Sequence, residues 1–132
     1  MFKESFGDRS GYVMHGDTIE TEVDGYTINA KVWPDNDSSP HEYDCFDPDN
    51  ERDAEIIRLW EEGEWLYVGI VVSVSKADIV LDAHAASLWG IEANFPREEG
   101  GYDNSYLNEV AEDLLDEALQ AGRDAVDRLN AA

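Results

Sequence analysis

The dipeptide Asp24-Gly25 restricts the fold more than any other feature, because it separates two segments in which apolar and polar residues alternate, 18–23 and 26–33. Asp-Gly between alternating runs is typical of a two-residue β-hairpin turn, whose central residues need positive φ angles. The turn fixes the strand register, so one face of the hairpin is predicted to face the core and the other, mostly acidic, to face solvent. The solvent face carries Glu20 and Glu22.

The segments on either side of this hairpin lack its regular pattern. Residues 1–16 are rich in Gly and polar residues and predict an irregular N-terminal arm, and 34–50 holds three of the four prolines and predicts a long acidic loop. A short helix is expected over 51–62, with Asp49 or Asn50 as its N-cap.

The second half of the chain predicts two more strands and a long helix. Residues 65–75 are rich in β-branched and aromatic residues, which favours a central strand, and 79–91 is expected to return beside it with an irregularity near 82–84. Apolar residues recur with a helical period over 106–129. We therefore predict one α+β domain, 1–132: a four-stranded antiparallel sheet made of two hairpins, a short middle helix, and a long C-terminal helix packed on one face.

The net charge limits the possible partners. The chain has a formal net charge of -22, from 31 Asp and Glu against 9 Lys and Arg, yet 42% of its residues are hydrophobic, which is too apolar for a disordered acidic tail. A folded domain with an acidic surface repels nucleic acids and anionic membranes, since both attract Lys and Arg. We therefore predict a cationic partner, either metal ions or, as the favoured alternative, a basic protein surface, with no direct contact to nucleic acid or membrane.

The lack of a membrane span, of a signal peptide and of a cysteine pair predicts a cytoplasmic location. No run approaches the roughly 18 apolar residues of a membrane span, and the N-terminus lacks the apolar stretch of a signal peptide. Cys45 is the only cysteine, so no internal disulfide can form, which favours a reducing compartment.

No segment carries a catalytic or cofactor-binding signature. His15, His41 and His84 lack metal-ligand spacing, and no Gly-rich phosphate loop follows a strand. A Cys45–His dyad remains open, since such partners meet in space, although a lone cysteine is more often a small buried hydrophobic residue. We predict a protein that is not an enzyme and holds no cofactor.

The acidic cluster Asp44–Asp53 offers oxygen ligands of the kind that Ca²⁺ prefers. Counted from Asp47, however, the sixth and twelfth positions hold Arg52 and Arg58, where an EF-hand needs Gly and Glu. The specific calcium motif is absent, and acidic residues at a helix N-terminus account for the cluster.

The candidate binding surface is the polar face of the long helix. Carboxylates three or four positions apart lie roughly 5–6 Å from one another, similar to phosphates along a nucleic-acid strand. Such a face can imitate a charged backbone, and the hairpin's acidic face is expected to extend it. The predicted partner-binding residues are Glu20, Glu22, Glu109, Glu112, Asp113, Asp116, Glu117, Asp124 and Asp127.

Each of the four tryptophans is a candidate interface anchor, because tryptophan is enriched at interfaces. Trp60, Trp65 and Trp89 lie in helix-like or strand-like runs, which predicts core packing. Trp33, before Pro34 at a strand end, is the one expected to be partly exposed.

Three segments in the second half of the chain resemble small acidic proteins of unassigned function carried by bacteriophages and mobile elements. They are Tyr67-Val-Gly-Ile-Val-Val-Ser-Val-Ser75, Ala86-Ser-Leu-Trp-Gly-Ile-Glu92 and Tyr106-Leu-Asn-Glu-Val-Ala111. By composition alone, the chain also resembles the DNA-mimic inhibitors of phages, including antirestriction and anti-CRISPR proteins. That likeness implies occlusion of a basic nucleic-acid-binding surface on a host protein.

A different hypothesis explains the charge without any partner. Lysine is scarce, at Lys3, Lys31 and Lys76 only, while Asp and Glu are abundant throughout, as expected for a cytoplasmic protein adapted to very high salt. In that alternative the acidity carries no information about function.

Overall fold

The structure is a computed structural model and describes residues 1–8, 11–42 and 46–131, with the side chain of Glu42 left out. Asp44 and Cys45 therefore lie outside the described residues. The predicted α+β fold is confirmed, and a short β5–β6 pair is an addition that the sequence pattern did not indicate. The elements in chain order are β1 (Thr18–Val23), β2 (Tyr26–Pro34), a 3-10 turn (Pro40–Glu42), α1 (Glu51–Glu61), β3 (Leu66–Lys76), β4 (Ile79–Ala93), β5 (Phe95–Pro96), β6 (Tyr102–Asp103) and α2 (Ser105–Ala131).

The main sheet is an antiparallel meander in the order β1-β2-β3-β4. The first hairpin has the predicted register, with Val23 opposite Tyr26, and its turn residues Asp24 and Gly25 have φ angles of 52° and 83°. The irregularity expected in the last strand is also present, since the β3–β4 register shifts around Val74. Local turn chemistry and alternation thus account for the sheet.

Helix α2 packs on one face of this sheet and closes the main core. The inward residues of β2 and β3 are fully or almost fully buried against it, as are eight residues of the helix. The helix and the sheet approach each other closely at Gly122, because a Cβ there would lie 2.7 Å from Val74 Cγ2 and 3.2 Å from Tyr26 Cδ1. The buried helix residues are Leu107, Val110, Ala111, Leu114, Leu115, Ala118, Leu119 and Gly122.

A smaller cluster lies on the other face of the sheet, at the start of β3. Trp65 is fully buried and its Nε1 donates to the Ile56 carbonyl oxygen of α1 at 2.8 Å. Tyr67 and Ile56 complete the buried part of the cluster. Helix α1 begins as predicted, since Asn50 Oδ1 accepts two backbone amides of its first turn. Because α1 covers only this end, the described residues leave the rest of that sheet face open.

The N-terminal arm belongs to the main core. Phe2, Phe6 and Val13 are buried within it. The Asn94 side chain holds Val13 by both backbone groups: Oδ1 accepts from Val13 N at 2.7 Å, and Nδ2 donates to Val13 O at 2.7 Å. Asn108 on α2 holds Phe6 in the same manner, at 2.7 and 3.1 Å.

Asn104 immediately precedes α2, and its side chain bonds Asn94 and the Gly11 carbonyl oxygen, while Asp103 Oδ1 accepts from the Ser105 amide at 3.0 Å. One prediction of local detail was wrong. Trp89, expected in the core, is 45% exposed.

The other tryptophans follow the sequence analysis more closely. Trp65 is buried and Trp33 is 44% exposed, both as predicted, while Trp60 is half-buried against the smaller cluster.

Candidate functional site

The outer face of α2 gathers the seven carboxylates predicted on this helix. With about 100° of rotation per residue, they fall within an arc of roughly 140° that lies opposite the buried stripe. Six of them are exposed and Glu112 is half-buried. We call this surface the α2 acidic face: Glu109, Glu112, Asp113, Asp116, Glu117, Asp124 and Asp127.

Little of this charge is neutralised within the chain. Among the described residues, no Lys, Arg or His forms an ion pair with any of these seven side chains. Arg123 lies in the same arc, but its guanidinium is 2.7 Å from Asp24 Oδ2 at the hairpin turn. Two of the carboxylates accept uncharged donors: Glu112 from the Phe2 amide at 3.0 Å, and Asp124 from Gln120 at 2.9 Å.

Glu20 and Glu22 do not extend the α2 acidic face. Their neighbours Ile19 and Thr21 on β1 are buried toward α2, so the two glutamates point to the opposite side of the sheet. Glu20 accepts from Asn29 Nδ2 there, at 3.2 Å. The nine predicted residues therefore form two surfaces, on opposite sides of the packed sheet and helix.

The described part of the acidic loop is organised by its own backbone. Asp53 accepts from the Asp47 amide at 3.0 Å, and Asp47 accepts from the Asp49 amide at 2.9 Å. No group of three His, Cys, Asp or Glu side chains in the described ranges has the geometry of a metal site.

Glu92 and Asp103 are a pair of carboxylates whose pKa values move apart. Burial raises the pKa of Glu92, and the charge of Asp103 raises it further. Hydrogen bonds from the Ser105 hydroxyl and amide lower the pKa of Asp103. Such pairs serve acid–base chemistry in enzymes, but the cavity that they line measures about 140 Å³, well below the 300–1,000 Å³ or so of a ligand site.

Glu92→Gln is expected to stabilise the protein at neutral pH. A raised pKa means that the fold favours protonated Glu92, so wild-type stability falls as pH rises from the ordinary glutamate value through the raised one. The stability gained by the substitution should therefore be largest above that pH window and vanish toward the lower end of the window. Urea unfolding between pH 4 and 8, a range that includes the ordinary glutamate pKa, measures it, with exposed Glu99→Gln as the control that also removes one negative charge. A gain that does not change with pH would contradict this account.

The open face of the sheet was not predicted from the sequence. Trp33 lies opposite Gly69 across β2–β3, and the six-membered ring of Trp89 occupies the space where a Gly69 side chain would stand, 2.1 Å from the position of its Cβ. The signal was Gly69 itself, because a glycine inside a strand often marks a close approach of another group.

No helix in the described part of the chain is both long and apolar enough to cross a membrane. Comparison with protein-family models, with curated proteins and with solved structures finds no match to this chain.

Proposed function

We propose that this protein is a non-enzymatic binding protein whose α2 acidic face occupies the basic, nucleic-acid-binding surface of a partner protein, in the manner of a DNA mimic. The partner class is a restriction, CRISPR or other DNA-handling protein. The observation that carries the proposal is the exposed row of carboxylates on α2, which have no ion-pair partner among the described residues.

The charge density of this row supports mimicry. Glu109 and Asp127 lie eighteen positions apart on the helix, which is about 27 Å at 1.5 Å per residue. Seven carboxylates over that length give one charge per roughly 4 Å, whereas one DNA strand carries one per about 3.4 Å. A groove lined with Lys and Arg for one strand therefore meets a similar linear charge on α2.

The mechanism is competition with nucleic acid for the basic surface of the partner, with no covalent step. The negative field of the whole molecule steers it toward a positive groove and raises the association rate. The α2 carboxylates then take the positions of phosphates on the partner. Both effects are electrostatic, so affinity should fall as salt screens the charges.

A pull-down from a lysate of the source organism tests the proposal. The full chain serves as bait, the resin is washed at low and then moderate salt, and retained proteins are identified by mass spectrometry. We expect a nucleic-acid-binding protein that leaves the resin when salt rises or when duplex DNA is added. Retention of proteins that DNA does not displace would contradict DNA mimicry.

Salt adaptation is the second candidate, and the spread of acidic residues favours it. Exposed carboxylates occur on the open sheet face and at the acidic loop as well as on α2, for example at Glu22, Asp49 and Asp113. Adaptation to salt does not require the carboxylates to lie on any particular face, whereas a DNA mimic requires them on only one face.

Thermal unfolding across salt concentrations separates the two candidates. For a DNA mimic we expect a cooperative transition in dilute buffer and a gain in Tm that levels off by a few tenths molar salt, since screening is then nearly complete at the distances between surface charges. Circular dichroism from 0.02 to 3 M KCl measures this. A chain that is loose in dilute buffer and gains stability up to molar salt would instead support salt adaptation.

A further inference from the structure

The open face of the sheet carries two exposed tryptophans beside a glycine. Trp33 and Gly69 are paired residues of neighbouring strands, so both face the same side, and the ring of Trp89 packs directly on Gly69. Trp33 and Trp89 remain 44% and 45% exposed. Large exposed aromatic rings on one surface mark interaction sites more often than isolated ones do. We call Trp33, Gly69 and Trp89 the tryptophan platform.

One ring of this platform already holds a cation. Lys31 Nζ lies 4.7 Å from the centroid of the Trp33 ring, on the same strand and the same face. Among the described Lys and Arg residues, none lies over Trp89. The electron-rich face of an indole attracts a cation most strongly of all aromatic side chains. Trp89 is therefore the free position of the platform.

A rigid acidic rim borders Trp89. The segment 34–38 and Trp89 line an open cleft of about 550 Å³, within the size range of ligand sites. Asp35 fixes the rim, since its Oδ2 accepts from Gly90 N at 2.8 Å and from Ser38 Oγ at 2.9 Å. Asp37 is exposed, and its carboxylate has no hydrogen-bond partner among the described residues.

Charge decides between the ligands that stack on tryptophan. Nucleic-acid bases stack on indole rings, but their phosphates would meet Asp35 and Asp37 here and the net charge of -22. A guanidinium both stacks on an aromatic face and donates paired hydrogen bonds to a carboxylate, which an ammonium does less well. Arginine matches the ring and the rim together.

We propose that the tryptophan platform and its acidic rim bind an arginine-bearing, extended segment of a partner protein, with one guanidinium stacked on Trp89 and directed toward Asp37. The inference rests on the proposed basic partner but uses a second surface, on the other side of the sheet from α2. Binding through both surfaces would let one molecule hold a groove and an adjoining basic arm of the same partner.

Isothermal titration calorimetry of the full chain tests this proposal. The probes are a peptide of alternating Arg and Ser, its Lys–Ser counterpart and its Glu–Ser counterpart. We expect the Arg peptide to bind more tightly than the Lys peptide, and the Glu peptide not to bind. Trp89→Ala should weaken the Arg peptide about 5- to 30-fold, in line with a partly desolvated cation–π contact, while Trp89→Phe should lose less.

The control variants locate the site. Asp37→Asn should weaken the Arg peptide more than Glu99→Gln, which removes the same charge elsewhere. The α2 double variant Asp113→Lys with Glu117→Lys should leave most of the peptide affinity, so failure of the platform and failure of the α2 proposal give different results. Unchanged affinity of Trp89→Ala relative to wild type, with the variant folded by circular dichroism, would overturn the proposal. Loss of peptide binding in the α2 variant alone would overturn it as well.

Discussion

Asn94→Ala is expected to lower the free energy of unfolding by about 3–5 kcal/mol. The side chain is fully buried and pairs with both backbone groups of Val13, which is itself buried. Alanine would leave a buried amide and a buried carbonyl without partners, each at roughly 1–3 kcal/mol. Asn94 also has a φ of 60°, a left-handed conformation that costs alanine about 1 kcal/mol more than asparagine.

Two further variants separate these contributions. Asn94→Gly keeps the backbone conformation without strain but loses the same hydrogen bonds, so it should recover only the conformational part. Asn108→Ala removes the matching contact with Phe6 at a less buried, helical position and should cost less, about 1–2 kcal/mol. Urea unfolding monitored by far-UV circular dichroism gives all three values. A loss below about 1 kcal/mol for Asn94→Ala would mean that water replaces the amide.

These contacts show why the N-terminal arm was beyond sequence reasoning. Asn94 and Val13 are 81 positions apart, and Asn108 and Phe6 are 102 apart. Neither asparagine belongs to a local pattern, since each binds backbone that approaches only after the sheet and α2 have packed. The sequence therefore predicted an irregular arm but gave no signal for what would hold it in the core.

The sheet and the helices, by contrast, were predictable because their determinants are local. Asp24-Gly25 sets the turn and the alternation sets the register, so the first hairpin agrees residue by residue. The helical period of α2 likewise placed seven carboxylates opposite its apolar stripe. Glu20 and Glu22 failed to join them because only the packing decides which face of a hairpin the helix covers.

Two glycines are explained by tertiary packing, which secondary-structure propensity alone does not predict. Gly122 counts as a weak point of an isolated helix, at about 1 kcal/mol relative to alanine, yet Val74 leaves no room there for a Cβ. Gly69 interrupts a β-branched run because Trp89 lies on it. Trp89 itself was assigned to the core from its strand-like neighbours, but α1 covers that face only at the start of β3, before Gly69, so the indole stays exposed.

The double variant Asp113→Lys with Glu117→Lys is expected to weaken binding to the basic partner by at least about 100-fold. Both positions are exposed and lie one helical turn apart on the α2 acidic face. Each substitution replaces an attraction with a repulsion, and measured couplings of close charge pairs across interfaces are about 1.5–7 kcal/mol. Because two such pairs are removed, a 100-fold loss of affinity, which corresponds to about 2.7 kcal/mol, is a lower bound.

Competition against a labelled DNA duplex, followed by fluorescence anisotropy on the partner recovered by pull-down, measures this loss. The matched control is Glu64→Lys with Glu99→Lys, two exposed positions outside α2. Each pair changes the net charge by +4, from -22 to -18. Long-range steering should weaken equally in both, so any difference between them reports the α2 face itself.

The folded state should tolerate both changes. Asp113 and Glu117 lie outside the buried stripe, and lysine is a good helix former, so loss of binding would not reflect unfolding. The difference in affinity between the two double variants should decrease as the salt concentration rises, because screening weakens the contacts that distinguish them. If both variants instead lose affinity to the same extent, the α2 face has no special role, and the partner responds only to the total charge of the molecule.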